Sequence, residues 1–262
     1  MIDCGEGTQI QVRCSKVHFS KVQAVFISHL HGDHCFGLFG MLSTFGMTGR
    51  TAPLQVYAPK EFEEYFNLSM ELFCKGLGYK VTFHPIEATE TAVIYEDKLE
   101  HRIPCCGFLF REKPTAPHIR RDMMDFYNIP ISQISNIKAG ADWTTTDGET
   151  IPNSRLTTPA DKPRSYAYCS DTRYMKHLYE KVSGVDVLYH ESTYTSEHND
   201  RARTYYHSTS QEAATVARDA AAGKLLLGHY SARYPNEDTI LSEAKAIFPN
   251  SFLTNEGMVF DV

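Results

Sequence analysis

Apolar positions in this chain of 262 residues fall into short runs and helical stripes that alternate. Residues 22–28 (Val-Gln-Ala-Val-Phe-Ile-Ser) form a β-branched apolar run that suits a buried strand. Residues 54–58 and 80–84 have the same character. Between them, over 61–77, Phe62, Tyr65, Phe66 and Met70 recur at helical spacing. The aromatic stripe Phe62, Tyr65, Phe66 is expected to be core, not a surface for stacking bases. Further along, 165–169 and 186–189 predict core strands, 211–222 an Ala-rich helix and 224–228 another strand. Strands and helices in this alternation predict a layered α/β fold in which helices cover sheets. Residues 112–164 break the pattern with Pro114, Pro117, Pro130, Pro152, Pro159, Pro163 and the turn pair Asp147-Gly148, which predicts an inserted, protruding segment. No internal repeat or low-complexity tract is present.

Length and composition narrow this picture. A chain of this size fits one α/β domain with an inserted arm. Its 42% apolar content supports a sizeable core. No apolar run approaches a bilayer span and no signal-peptide pattern opens the chain, so cytoplasmic residence without a membrane is expected. Seven cysteines, with no CxxC pair, read as buried thiols in a reducing compartment. The net charge of −6 excludes a protein coated in basic residues. A nucleic acid would have to meet a local patch. Even the predicted insertion is nearly balanced, though it carries the pair Arg120-Arg121.

The strongest chemical signal is His29-Leu30-His31-Gly32-Asp33-His34, directly after the 22–28 strand. Imidazole nitrogen and carboxylate oxygen are zinc ligands, and catalytic zinc keeps a position open for water. At a strand end, ligands two residues apart can face one metal while the following Asp and His turn toward a second. Gly32 is expected to permit that tight reversal.

HxHxDH after a strand resembles the signature of the metallo-β-lactamase superfamily, and the rest of the chain is similar to its ribonuclease Z branch, the tRNA 3′-processing endonucleases. The likeness runs from Asp3-Cys4-Gly5-Glu6-Gly7-Thr8-Gln9 through His101-Arg102-Ile103-Pro104, Ser170-Asp171-Thr172, His190-Glu191-Ser192-Thr193 and His207-Ser208-Thr209 to His229-Tyr230-Ser231-Ala232-Arg233-Tyr234. It implies a four-layered αβ/βα sandwich with an inserted substrate-binding arm at about 112–164. It further implies two zinc ions per chain, precursor tRNA as substrate and a homodimer. By motif, His29, His31 and His101 would hold one zinc, and Asp33, His34 and His229 the other. Asp171 would bridge them. The residues support that set independently: His101 sits in a polar break between apolar runs, and Asp171 and His229 each follow a predicted strand, where α/β folds gather ligand-binding groups.

Two such ions would acidify a shared water and neutralise charge on a phosphodiester, with Asp33 orienting or deprotonating the water. His207, oriented by Glu191, would protonate the leaving 3′ oxygen. A surface His capping a helix near Ser210 is the other reading of His207, and a structural salt bridge that of Glu191. Arg233 suits a substrate phosphate or a structural ion pair. His18, His84, His118, His177, His190 and His198 are expected to be mainly structural, with His190 steadying the active-site loop.

Two departures from the family pattern stand out. Family members carry a strand pair upstream of the Asp3 motif, whereas Met1 lies inside the equivalent of its second strand and 96–100 is short for the strand before His101. Upstream residues are therefore expected to be omitted from the numbered chain, because losing core strands would leave an open edge beside the metals. The insertion also lacks the Gly-Pro-rich tip of the family's tRNA-gripping arm. A small-molecule hydrolase on this scaffold, acting on a cyclic nucleotide, thioester or lactam, is the leading alternative. A metal-free RNA-binding protein is the rival from another class.

Overall fold

The computed structural model describes residues 1–15, 17–86 and 97–262. Strands β1 (Ala24–Phe26), β2 (Leu54–Pro59) and β3 (Val81–Ile86) form a parallel sheet in that order. Strands β4 (Asp97–Leu99) and β5 (Cys105–Arg111) follow. The segment Arg111–Arg164 is a compact unit of its own. It holds the short strands β6 (His118–Ile119), β7 (Trp143–Thr144), β8 (Thr150–Ile151) and β9 (Thr157–Thr158), paired β6 with β9 and β7 with β8. The chain returns through β10 (Ser165–Cys169), β11 (Val187–Glu191), β12 (Lys224–Gly228) and β13 (Ser251–Leu253). A second, six-stranded sheet runs β13-β12-β11-β10-β5-β4.

Each sheet buries its outer face under helices. Val25, Leu54 and Val56 of the first pack with Leu38, Met41, Leu42 and Phe45 of the helix Leu38–Met47 and with Phe62 and Phe66. In the second, Leu188, Leu225 and Leu227 meet Ala213, Ala214 and Ala217 of the helix Ser210–Asp219, and Ile240 and Ala244 of Asp238–Ile247. Alanines on the first helix let it approach the sheet closely. The inner faces meet through aromatic rings: Phe26 lies 5.6 Å from Phe108 and 5.3 Å from Phe110, and stacks on Tyr57 at 4.8 Å. Helix, sheet, sheet and helix make a four-layered sandwich. At one end of the seam the Cys106 N–H donates to the Ser28 carbonyl at 2.9 Å, joining β5 to the chain just past β1.

The predicted strands and helices are present, 165–169 and 224–228 with the expected ends and the others with shifted ends. The first strand stops at Phe26 because the backbone N–H of Ser28 turns to the Asp3 carboxylate at 2.7 Å instead of a neighbouring strand. The predicted 61–77 helix is a turn at Lys60–Phe62 followed by Glu63–Phe73, ended before Gly76, whose φ is +87°. The expectation that Tyr65 is core is wrong: it is 53% exposed, one residue off the inward face set by Phe62 and Phe66, which are one turn apart. The 211–222 helix is Ser210–Asp219, opened by a reciprocal Thr209–Glu212 capping box. Residue 96 lies outside the described residues. The cysteines form no disulfide and are mostly buried, but Cys14 is exposed, against expectation.

The Arg111–Arg164 unit has its own core of Met124, Ile129, Ile137, Ile151 and Leu156. Arg120 pairs with Asp122 at 2.7 Å, so only Arg121 of the adjacent pair is without that neutralisation. Arg121 and Lys138 line a cavity of about 690 Å³ together with Ile119, Ile129, Ile131 and Ile134.

Candidate metal centre

Loops at strand ends bring the predicted donors together. His29 and His31 follow β1, Asp33 and His34 ride the helical turn Gly32–Cys35, and His101 lies between β4 and β5. Asp171 follows β10 and His229 follows β12. Donor atoms of His29, His31, His101 and Asp171 lie within 4.8 Å of one another, as do those of Asp33, His34 and His229. The Asp171 carboxylate joins the groups. Its Oδ2 is 3.9 Å from His29 Nε2, 3.8 Å from His34 Nε2 and 3.4 Å from His229 Nε2.

The protons on these rings are fixed from outside. Ser28 Oγ donates to Asp3 Oδ2 at 2.9 Å, so it accepts from His29 Nδ1 at 3.0 Å. His34 Nδ1 donates to Asp3 Oδ2 at 2.8 Å, and His101 Nδ1 to the Tyr206 carbonyl at 3.1 Å. Thr193 Oγ1 donates to Glu191 Oε2 at 2.6 Å and accepts from His229 Nδ1 at 2.8 Å. Each of these four rings therefore turns a lone pair on Nε2 inward. His29 Nε2 and His101 Nε2 approach His31 Nδ1 to 3.0 and 3.2 Å. Converging lone pairs with a central carboxylate repel one another unless a cation sits among them, and the donor types are those of zinc. Burial, aided by the imidazoles of His34, His31, His101 and His229, pushes His29 down to about 2, which keeps it a neutral donor.

Beside the cluster lies an ion pair whose carboxylate is buried and whose imidazole is half-buried. His207 Nδ1 donates to Glu191 Oε1 at 2.9 Å, and Glu191 is fully buried. Glu191 also accepts from the backbone N–H groups of Thr172 and Thr193, each at 3.0 Å. Burial opposes charge on both partners, but their mutual hydrogen bond and attraction outweigh it, raising His207 and lowering Glu191. The His207 ring stacks on His229 at 5.2 Å and lies 5.4 Å from His101. Thr209 caps the following helix, so His207 is no cap.

Other expectations fare unevenly. Arg233 is exposed, with Nε 3.3 Å from Ser231 Oγ, and has no carboxylate partner among the described residues. His190 donates to the Glu191 carbonyl at 2.7 Å and touches no donor. His84 bonds Gln55, His118 pairs with Asp161 and His177 with Glu180, and none of the three is among the grouped donors. Gly32 does not take a left-handed conformation, contrary to the role expected of it: the reversal is an ordinary helical turn, and a Cβ there would meet only the ring of exposed Phe36. The demanding glycines are Gly5 and Gly37. A Cβ on Gly5 would lie 2.1 Å from the Asp33 carbonyl oxygen, and one on Gly37 1.8 Å from that of Gly5. Asp3, Ser28, Thr193 and Tyr206 were not predicted to support the site. Asp3 opens a quoted motif, yet only the fold shows its carboxylate reaching His34 and, at 3.1 Å, Tyr168.

The chain is similar to proteins of known kind. It is 50% identical over 266 residues to ribonuclease Z of Bacteroides fragilis strain YCH46, covering 98% of this chain and 88% of that protein. It is 50% identical over 270 residues to ribonuclease Z of Bacteroides thetaiotaomicron, covering 100% of this chain and 85% of that protein. The fold resembles human tRNase Z, short form, with a TM-score of 0.66 at 24% identity over 99% of this chain and 86% of that one. It also resembles the metallo-β-lactamase fold protein YhfI from Bacillus subtilis, with a TM-score of 0.65 at 20% identity over 99% of this chain and 85% of that one. A family model described as Anti-Pycsar protein Apyc1 matches residues 1–81.

Proposed function

The chain belongs to the ribonuclease Z family, and we propose that its seven converged donors hold two zinc ions that serve removal of the 3′ trailer from precursor tRNA. The protein is a metal-dependent endoribonuclease of the metallo-β-lactamase fold. What carries the reading of the site is the set of inward lone pairs around Asp171, with a half-buried histidine backed by a buried carboxylate beside it. His29, His31 and His101 would hold one ion, Asp33, His34 and His229 the other, and Asp171 both. Bound there, the ions would supply an acidified water and neutralise charge on the phosphodiester.

The side chains then divide the work. Asp33, its side chain 71% exposed, orients the attacking water. His207 gives a proton from Nε2 to the departing 3′ oxygen while Glu191 holds Nδ1–H and keeps the ring cationic. The products are a tRNA 3′-hydroxyl and a trailer 5′-phosphate. Arg233, with no acidic partner among the described residues, contacts a substrate phosphate. The Arg111–Arg164 unit grips the tRNA body. No helix among the described residues is long and apolar enough to cross a membrane, and cytoplasmic residence belongs to the same reading. Rates on precursor tRNA, a cyclic nucleotide, a thioester and a lactam discriminate the readings: kcat/KM should be highest by far on precursor tRNA, and a higher value on any small molecule would overturn it.

Asp3 acts through His34. Asp3→Asn removes the charge that orients the ring and should weaken metal binding at the His34 site about 10- to 100-fold. Competition against a chromogenic chelator reads this, and unchanged affinity would deny Asp3 the role. The homodimer implied by the family likeness would form through the helix Glu63–Phe73, where Tyr65, Leu68, Leu72 and Phe73 are 53–70% exposed. Such a stripe on a soluble surface marks an interface. Leu68→Asp with Leu72→Asp should halve the mass seen by light scattering, whereas an unchanged mass would move the interface elsewhere.

A further inference from the structure

A cavity of about 350 Å³ opens beside His207, lined by Arg173, Tyr174, Arg203, His207 and Glu212. It shares His207 with the catalytic cluster but is walled by none of the seven metal donors. Arg173, two residues past Asp171, is fixed without being neutralised. Its backbone N–H donates to the Glu100 carbonyl at 2.9 Å and its Nε to the Arg203 carbonyl at 3.0 Å. Its guanidinium carbon lies 3.7 Å from the centre of the Tyr206 ring. Its two terminal nitrogens have no protein partner among the described residues, and neither does the exposed Arg203 side chain. The one acid on the wall, Glu212, has Oε2 engaged with Thr209 N and Oγ1 at the start of the helix Ser210–Asp219.

Tyr206 ties this cavity to the reaction. It sits at φ +64°, a backbone state that residues other than glycine seldom adopt. In that state its ring supports Arg173, its carbonyl holds His101 Nδ1, and the next residue is His207.

We propose that Arg173 and Arg203 bind the phosphate immediately 5′ of the scissile one, on the strand that becomes the mature tRNA end. The inference rests on the ribonuclease reading above and names a subsite of that same site. His207 serves the 3′ oxygen that leaves, so a cavity continuing past His207 belongs to the RNA that keeps this oxygen. A guanidinium stacked on a ring and tied through Nε presents its terminal N–H edge to an anion. That edge matches the paired oxygens of a phosphate.

The test uses 3′-extended precursor tRNA carrying a single methylphosphonate, which removes one phosphate charge. Placed just 5′ of the cut, it should lower wild-type kcat/KM about 10- to 100-fold, mainly through KM, as expected for a lost charged hydrogen bond. Arg173→Ala should show a similar loss on unmodified RNA and little further loss on the methylphosphonate. Arg203→Ala, at an exposed position, should show the same coupling more weakly and serves if Arg173→Ala does not fold. A wild-type enzyme indifferent to the methylphosphonate, or losses that simply multiply in both variants, would overturn the proposal. So would coupling found only when the modification is placed 3′ of the cut. If wild-type protein fails to cut even unmodified precursor, the ribonuclease reading fails and the subsite falls with it.

Discussion

Asp171→Ala is expected to deprive the protein of both metals at once and to lower precursor-tRNA cleavage by more than about 10²-fold, since even outer partners of metal ligands cost 10- to 100-fold. The side chain is 5% exposed and its Oδ2 faces histidines of both donor groups, at 3.9 Å (His29) and 3.4 Å (His229). Removing it leaves the His29, His31 and His101 group with no anion and the other group with Asp33 alone, so each ion would lose a ligand and charge that offsets its own. Elemental analysis of loaded protein should fall from two metals per chain toward none. His229→Ala should instead weaken chiefly one site, because His229 groups with Asp33 and His34 and not with the His29 set. Full occupancy in Asp171→Ala would show that the two sites do not share this residue.

The second large effect falls on His207. Breaking the bond between phosphorus and the 3′ oxygen expels an alkoxide that must gain a proton as it departs. A placed general acid contributes about 10²–10⁴-fold to such a step. His207→Ala should therefore lower precursor-tRNA cleavage by about that factor while both metals stay bound. On an activated nitrophenyl phosphodiester, whose leaving group is a far weaker base, the loss should be much smaller. His207 also lies within ligating distance of Asp171 and His229, so metal content must be measured on the same preparation. If occupancy falls with both rates, His207 is a ligand. If metals and both rates stay normal, the Glu191–His207 pair is structural.

The HxHxDH donors were legible in the sequence because their signal is contiguous, whereas His101, Asp171 and His229 came from motif resemblance, supported by the runs that precede Asp171 and His229. The pair Glu191 and His207 came from motif resemblance, and the fold adds the 2.9 Å bond that spacing could not supply. Residues acting through others stayed hidden. Asp3 reaches His34 across 31 positions and Tyr206 reaches His101 across 105, contacts that exist only once the chain has folded. Arg173 and Arg203 carry no signal in the sequence, because nothing there shows that a tyrosine ring would support one and that both would lack an acid among the described residues. Short elements such as β13 and the helix Asn199–Tyr205 were missed for a related reason. They are too brief to set a period of their own and depend on packing.

End-mapping of a labelled, 3′-extended precursor tRNA after incubation with the purified, metal-loaded protein bears most directly on the proposed activity. A single cut at the 3′ end of the tRNA body is expected, giving a tRNA with a 3′-hydroxyl and a trailer with a 5′-phosphate. Cuts scattered along the RNA, a 3′-phosphate on the tRNA, or no cleavage by protein that holds both metals would contradict it.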